Sequence, residues 1–328
     1  MRGRVLVAVS TFAVLATVAA CGSSNNNSGS GGGGSGGKKS LTLIQGTKAD
    51  EFYITMACGA RAEASQLGVN LDVTGPEKFD AGQQVPIVNS VTAKKPDAVL
   101  IAPTDTKALI PPMTQMKSAG IKIVEVDTTV DDDSLAVSAI STDNLGGGTL
   151  AAQTLVKLVG GKGSVLVINV NPGISTTDAR AKGFDDEIRK SSGITALPVQ
   201  YTNDEPAKAA SIVSATLSAH PDLAGIFATN VLTAEGAATG LRAAGKQSQV
   251  KIVGFDAGPQ QIQDLKSGVV QALVAQDPYG IGQKGVQTAV DALDGKSVQK
   301  QIQTDLFAIT RDNVDSSAAQ KFIYKDKC

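Results

Sequence analysis

Short apolar runs, each closed by turn residues, recur along the chain with amphipathic or Ala-rich stretches between them. "LTLIQG" (41–46), "VNLDVTG" (69–75), "DAVLIAP" (97–103) and "IKIVEVD" (121–127) predict four strands, with helices near 52–67, 80–94 and 107–119. A second series follows: "SVLVINV" (164–170), "LPVQYT" (197–202), "LAGIFATN" (223–230) and "VKIVGFD" (250–256), with helices near 145–159, 178–191, 205–219 and 233–245. "VQALVAQ" (270–276) is a later strand. Near-continuous Val/Ile/Leu runs are expected where helices cover both faces of a parallel sheet. Two successive βα series therefore predict an α/β fold of two doubly wound parallel-sheet lobes. In the first helix Tyr53, Met56, Ala57, Ala60, Ala64 and Leu67 form a buried stripe. Cys58 lies about 100° round from Ala57, off that stripe.

The N-terminal pattern is different. Residues 1–20 carry two arginines, an apolar run and small residues before Cys21, the layout of a secretory signal. The run is short for a membrane span, which needs about 20 apolar residues. "VAAC" (18–21) resembles a bacterial lipobox, whose cysteine is acylated and becomes the new N-terminus. On that reading Cys21 is a lipid anchor; the alternative is an ordinary signal peptide with an incidental cysteine. Residues 22–37 are Gly, Ser and Asn only, so 21–38 is expected to act as a flexible tether.

About 290 residues remain, enough for two domains. With 30 basic and 31 acidic residues and no long basic stretch, nucleic acid is not an implied partner. Cys58 and Cys328 are left after Cys21, and in an oxidising compartment such a pair can form a disulfide or remain two separate thiols.

In open α/β sheets ligands bind beyond the carboxyl ends of the strands. Those ends read "GTKADEFY", "APTD", "DTT", "NPGISTTDAR", "YTNDEP", "TNVLTAE", "DAGPQ" and "QDP". They are rich in Asp, Asn, Thr and Gln, the groups that hydrogen-bond hydroxyls. Phe52 and Tyr53 add apolar faces for C–H groups. The set suits a small neutral polyhydroxylated ligand, although the same residue types punctuate loops in any protein. Enzyme signals are scarce. His220, in "AHPD", is the single histidine and reads as a solvated helix cap. No Cys/His cluster has metal-ligand spacing. "GGGT" (146–149) lacks a dinucleotide or Walker context and reads as a helix start behind Asp143 and Asn144. Lys48 and Ser175 have no tuned partner. No catalytic residue, metal or cofactor is expected.

Taken together, "PTD", "DN-GG", the "GF" after "ISTTDAR", "AHPD", "IFATN", "VGFD" and "VAQ-P-IG-KGV" resemble the ribose-binding type of periplasmic sugar-binding protein, over about residues 40–310. Such proteins are the substrate-capturing components of ABC importers. The resemblance implies two lobes joined by three crossovers, closing on a ligand by hinge motion. The crossovers fall near Thr142, Gln276 and Asp305. The N-terminal lobe is then 39–142 plus 277–305, the C-terminal lobe 143–276 plus 306–312, and the tail 313–328.

Carried over by position, the family's pocket falls on Asp50, Phe52, Tyr53, Asp127, Asn230, Asp256 and Gln276. Three positions depart. Thr128 and Asp178 stand where the family has arginines, with Arg180 two residues on as a substitute, and Asp204 stands where the second lobe contributes an aromatic. Fewer cations and one fewer aromatic disfavour anionic sugars. They point to a small neutral sugar or, equally, an acyclic sugar alcohol. The implied partners are an ABC permease with its ATPase subunits, met by a monomer held by its lipid anchor at the extracytoplasmic membrane face. The rival role is presentation of ligand to a chemoreceptor or sensor kinase. Sugar-responsive repressors share these lobes but carry a basic DNA-binding headpiece, and a signal and neutral tether take its place here.

Overall fold

The computed structural model describes residues 38–328. The expected signal, Cys21 and the Gly/Ser/Asn tract lie outside the described residues.

From the start of this span the chain alternates strand and helix: β1 (Ser40–Ile44), α1 (Glu51–Leu67), β2 (Asn70–Thr74), α2 (Ala81–Lys94), β3 (Ala98–Ile101), α3 (Ile110–Ser118), β4 (Lys122–Val126) and β5 (Ser138–Thr142). There follow α4 (Asn144–Leu158), β6 (Gly163–Asn169), α5 (Ser175–Ile188), β7 (Ile194–Ala196), β8 (Gln200–Tyr201), α6 (Pro206–Ala219), β9 (Leu223–Ala228), α7 (Val231–Ala243), β10 (Lys251–Phe255), α8 (Pro259–Ser267) and β11 (Ala272–Gln276). The chain ends with α9 (Pro278–Leu293), β12 (Gln301–Thr304), β13 (Leu306–Thr310) and α10 (Ser317–Gln320).

Local chemistry sets many of these boundaries. Asp50, Asp80 and Asp143 each accept a backbone N–H at the first turn of α1, α2 and α4, satisfying donors that a helix start leaves free. "GGGT" therefore does begin a helix behind Asp143, and His220 is the residue that closes α6.

The strands form two sheets, ordered β12-β5-β4-β3-β1-β2 and β13-β11-β10-β9-β6-β7, with β8 also pairing β6. All pairings are parallel except β11 with β13. This is the two-lobed α/β architecture that the hydrophobic pattern predicts. β3 and β11 are buried along their whole length, as strands sandwiched between helix layers must be. In the first lobe Val99 and Ile101 pack with Met113 and Met116, while Leu100 packs on the opposite face with Met56.

Four strands, β5, β7, β12 and β13, went unpredicted. β5 ("SAIST") has only Ala139 and Ile140 as apolar residues among small polar ones, and β12 and β13 lie beyond the regular βα series. Of the strand expected at 197–202 only β8 forms; β7 lies just before that span, and Pro198, which has no N–H to donate, stands between the two.

Close helix pairs stiffen each lobe. A Cβ on Gly59 or Gly282 would come within 2.0 Å of a backbone oxygen on the facing helix, so only glycine permits the α1–α9 approach. Between the sheets the chain crosses after β5, after β11 and between β12 and β13. Cys58 and Cys328 are joined by a disulfide. Among the described residues no helix is long and apolar enough to cross a membrane.

Candidate functional site

Strand ends from both sheets face one space between the lobes. On the first lobe Asp50 ends the β1–α1 loop, and its Oδ1 accepts the Phe52 N–H at 2.7 Å. That cap fixes the entry to α1 and turns Phe52 and Tyr53 toward the cleft. Their rings lie edge to face, centroids 5.1 Å apart. The Tyr53 hydroxyl donates to Asp127 Oδ2 at 2.7 Å. Asp127 follows β4 with φ of 66°, a left-handed conformation that Asp tolerates better than most residues.

On the second lobe Asp256 follows β10, also left-handed at φ 79°. Its Oδ1 accepts from Gln276 Nε2 at 2.6 Å and from the Tyr324 hydroxyl at 2.8 Å. Its Oδ2 accepts the Val231 N–H at 3.2 Å and lies 3.9 Å from Arg180 Nη1. Arg180, on α5, donates to Asn144 Oδ1 and to the Thr229 carbonyl, both at 2.9 Å, and its guanidinium sits 3.9 Å from the centre of the Phe255 ring. Asn230 caps α7 through its Oδ1 and donates Nδ2 to Asp204 Oδ1 at 2.8 Å.

The lobes are closed on one another. The Thr129 N–H donates to Ser175 Oγ at 2.9 Å and the Thr106 N–H to the Gly173 carbonyl at 3.0 Å, both across the cleft.

Four carboxylates (Asp50, Asp127, Asp204 and Asp256) line the space, and among the described residues lining it Arg180 is the one cation. Burial pushes Asp50 well above the usual carboxylate range, and the charges of Asp204 and Asp256 add to it. Asp127 is pushed up to about 6 by burial, against the opposing pull of Arg180 and the Tyr53 hydrogen bond. Asp204 is raised by burial. Two polar atoms in this lining, Gln276 Oε1 and Thr177 Oγ1, are buried without a hydrogen-bond partner. Leaving such an atom unpaired costs about 1–3 kcal/mol, so both are places for a ligand hydroxyl.

The described chain matches the family defined as "Periplasmic binding protein domain" over residues 41–297. The chain belongs to the periplasmic binding protein family, in its ribose-binding type. It is 31% identical over 274 residues to the ribose import binding protein of Escherichia coli (strain K12), covering 84% of this chain and 91% of that one. It is 33% identical to the D-ribose/D-allose-binding protein of Pseudomonas aeruginosa, over 79% of this chain and 84% of that one. A solved ABC transporter solute-binding protein from Agrobacterium vitis, bound with α-D-tagatopyranose, is similar in fold. Its TM-score is 0.87 at 41% identity, covering 88% of this chain and all of the other. The fold is that of a type I periplasmic binding protein.

Within this binding protein, nine of the eleven expected pocket residues line the cleft. They are Asp50, Phe52, Tyr53, Asp127, Arg180, Asp204, Asn230, Asp256 and Gln276. Thr128 and Asp178 do not. Asp178 accepts the Gly173 N–H at 2.7 Å and Asn169 Nδ2 at 3.3 Å, bracing the loop before α5. Thr128 is buried beside Asp127 without reaching the lining. Helix phase explains the exchange of Asp178 for Arg180. α5 begins at Ser175, and Thr176, Thr177 and Arg180 share its buried face while Asp178 turns aside.

Phe79, Val170, Ile174, Thr176 and Thr177 line the site without having been expected there. Phe79 had a readable signal, since "GPEKFD" is the carboxyl end of the second strand, a strand end omitted from the set above. It supplies an aromatic to a lining in which Asp204 stands at the family's aromatic position. Its ring centre lies 6.2 Å from that of Tyr53.

Proposed function

We propose that this chain captures one small neutral sugar between its lobes and hands it to the permease of an ABC importer, from a position held by an acylated Cys21 and the flexible 21–38 segment. The observation that carries the reading is the pair of orphaned atoms, Gln276 Oε1 and Thr177 Oγ1, in a cleft that both lobes close. A ligand with several hydroxyls satisfies them, and the carboxylates of Asp127 and Asp256 accept its remaining donors.

Four carboxylates against one guanidinium disfavour a phosphate or carboxylate on the ligand. A ring sugar is favoured over an acyclic alditol, because Phe52, Tyr53 and Phe79 together give the cleft an aromatic wall. The relative from Agrobacterium vitis, which holds a pyranose, supports the same choice.

Capture works by population shift. A ligand bonded to both lobes stabilises the closed form relative to the open one, and the closed form docks on the permease. On this reading the bodies that move are 39–142 with 277–305 and 143–276 with 306–312, hinged near Thr142, Gln276 and Asp305. Titration calorimetry with D-tagatose, D-ribose, D-allose, their alditols and ribose 5-phosphate tests the proposal. Uptake of a neutral pyranose or pentose in preference to the rest is expected, and uptake of the phosphate alone would overturn it. Mass spectrometry of membrane-extracted protein, expected to show a diacyl mass on Cys21, tests the anchor.

A further inference from the structure

The C-terminal tail does not end on the lobe from which it leaves. After β13, α10 and the following residues stay with the second lobe, where the Tyr324 N–H donates to the Ala257 carbonyl at 3.0 Å. One residue later the tail is on the first lobe. The Lys325 N–H donates to Thr55 Oγ1 of α1 at 2.7 Å, its ammonium lies 5.1 Å from the centre of the Tyr279 ring of α9, and Cys328 is bonded to Cys58 of α1. The crossing runs beside a hinge segment, since the Gln276 N–H points at the Tyr324 hydroxyl at 3.4 Å.

Tyr324 itself is buried, 3% exposed, with its ring edge-on to Phe52 at 5.8 Å. Its hydroxyl is one of two donors on Asp256 Oδ1. Its proton is held there, burial and the neighbouring Asp256 charge pushing its ionisation well above the usual phenol range. The tail thus reaches a cleft carboxylate through a side chain that is not itself part of the cleft lining.

We propose that residues 317–328 form a fourth, disulfide-closed connection between the lobes, and that Tyr324 within it is a positioning residue that orients Asp256 and so helps set which sugar is held. This rests on the sugar-binding reading only for the role toward ligand; the strap stands on the path of the tail alone. A fourth connection beside the hinge narrows the range over which the lobes open, and a narrower open ensemble loses less on closing.

Two variants of the full mature protein test it: Tyr324→Phe, which keeps the ring and removes the donor, and the double variant Cys58→Ser/Cys328→Ser. In ligand-free small-angle scattering the double variant is expected to be more extended than the parent, and a superimposable profile overturns the strap. In calorimetry Tyr324→Phe is expected to lose about three- to tenfold in affinity, by different factors for D-tagatose, D-ribose and D-allose. Unchanged affinity, or one common factor for all three sugars, overturns the positioning role while leaving the site intact. If the parent binds none of the three, the sugar-binding reading falls and takes the ligand role of Tyr324 with it, and the scattering comparison alone decides the strap.

Discussion

Asp127 and Asp256 occupy the same place in the two lobes. Each follows the third strand in its sheet order, each is left-handed, and each donates its N–H, at 2.8 Å, to the strand next to its own, Asp127 to the Ile140 carbonyl and Asp256 to that of Val274. The pair brings one carboxylate from either side to a ligand between them, with Arg180 electrostatically coupled to both.

Removing the carboxylate of Asp256 leaves ligand hydroxyls, Gln276 Nε2 and the Tyr324 hydroxyl without their acceptor in a desolvated cleft. Asp256→Ala is expected to cost about 1–3 kcal/mol of binding, or roughly 5–150-fold in affinity. Calorimetry against the parent's best sugar checks this, and an unchanged Kd removes Asp256 from the contact set.

Asp127 gives binding a pH dependence of defined sign. Its pKa in the closed cleft is about 6, against 3.8 for an ordinary aspartate. The folded protein therefore holds a proton there that the unfolded chain has lost, and this group's contribution to stability falls as pH rises from about 4 to about 6. Ligand hydroxyls donate to the ionised carboxylate and lower its pKa, so binding releases a proton in the same window. Affinity is expected to rise from pH 5 to about 6.5 and then level off. Titrations in two buffers of different ionisation enthalpy read the proton release directly, and a flat profile over pH 5–7 contradicts the assignment.

The residues that could be read from sequence, and those that could not, divide along physical lines. The segments that hold Asp50, Asp127, Asp256 and Gln276 were legible because strand ends in an open α/β sheet converge, and the resemblance to the ribose-binding type singled out these residues within them. The choice between Asp178 and Arg180 was not legible, because it depends on the phase of α5, whose start at Ser175 has no side-chain cap to announce it. β5 was hidden because its five residues hold only two apolar ones, Ala139 and Ile140, too short a run to stand out. Tyr324 carries no local signal at all. Its place behind Asp256 follows from the path of the tail and the disulfide to α1, which only the folded chain contains.

Arg180 is 3% exposed and sits among carboxylates, so its charge matters to the fold as well as to the ligand. Arg180→Met leaves Asp256 with one buried charge partner fewer and the Thr229 carbonyl without its donor. Loss of one member of a buried pair costs about 3–5 kcal/mol. The loss of unfolding free energy is expected to be larger at pH 7 than at pH 5, because Asp127 is largely protonated at the lower pH and then needs no counter-charge. Urea denaturation at both values measures the difference, and an equal loss at the two would assign the effect to packing on Phe255 instead.

Phe79 separates the ring-sugar reading from the alditol one. It comes from the loop after β2, lies tilted 30° to Tyr53, and lines the cleft together with Phe52. A pyranose presents a face of C–H groups to such a wall in one fixed geometry, whereas an open-chain alditol must be ordered bond by bond and gains less from it. Phe79→Ala is therefore expected to weaken D-tagatose by about three- to tenfold and its alditols by clearly less. A larger loss for the alditols would show that the aromatic wall serves an extended chain, and the preference for a cyclic ligand would have to be given up.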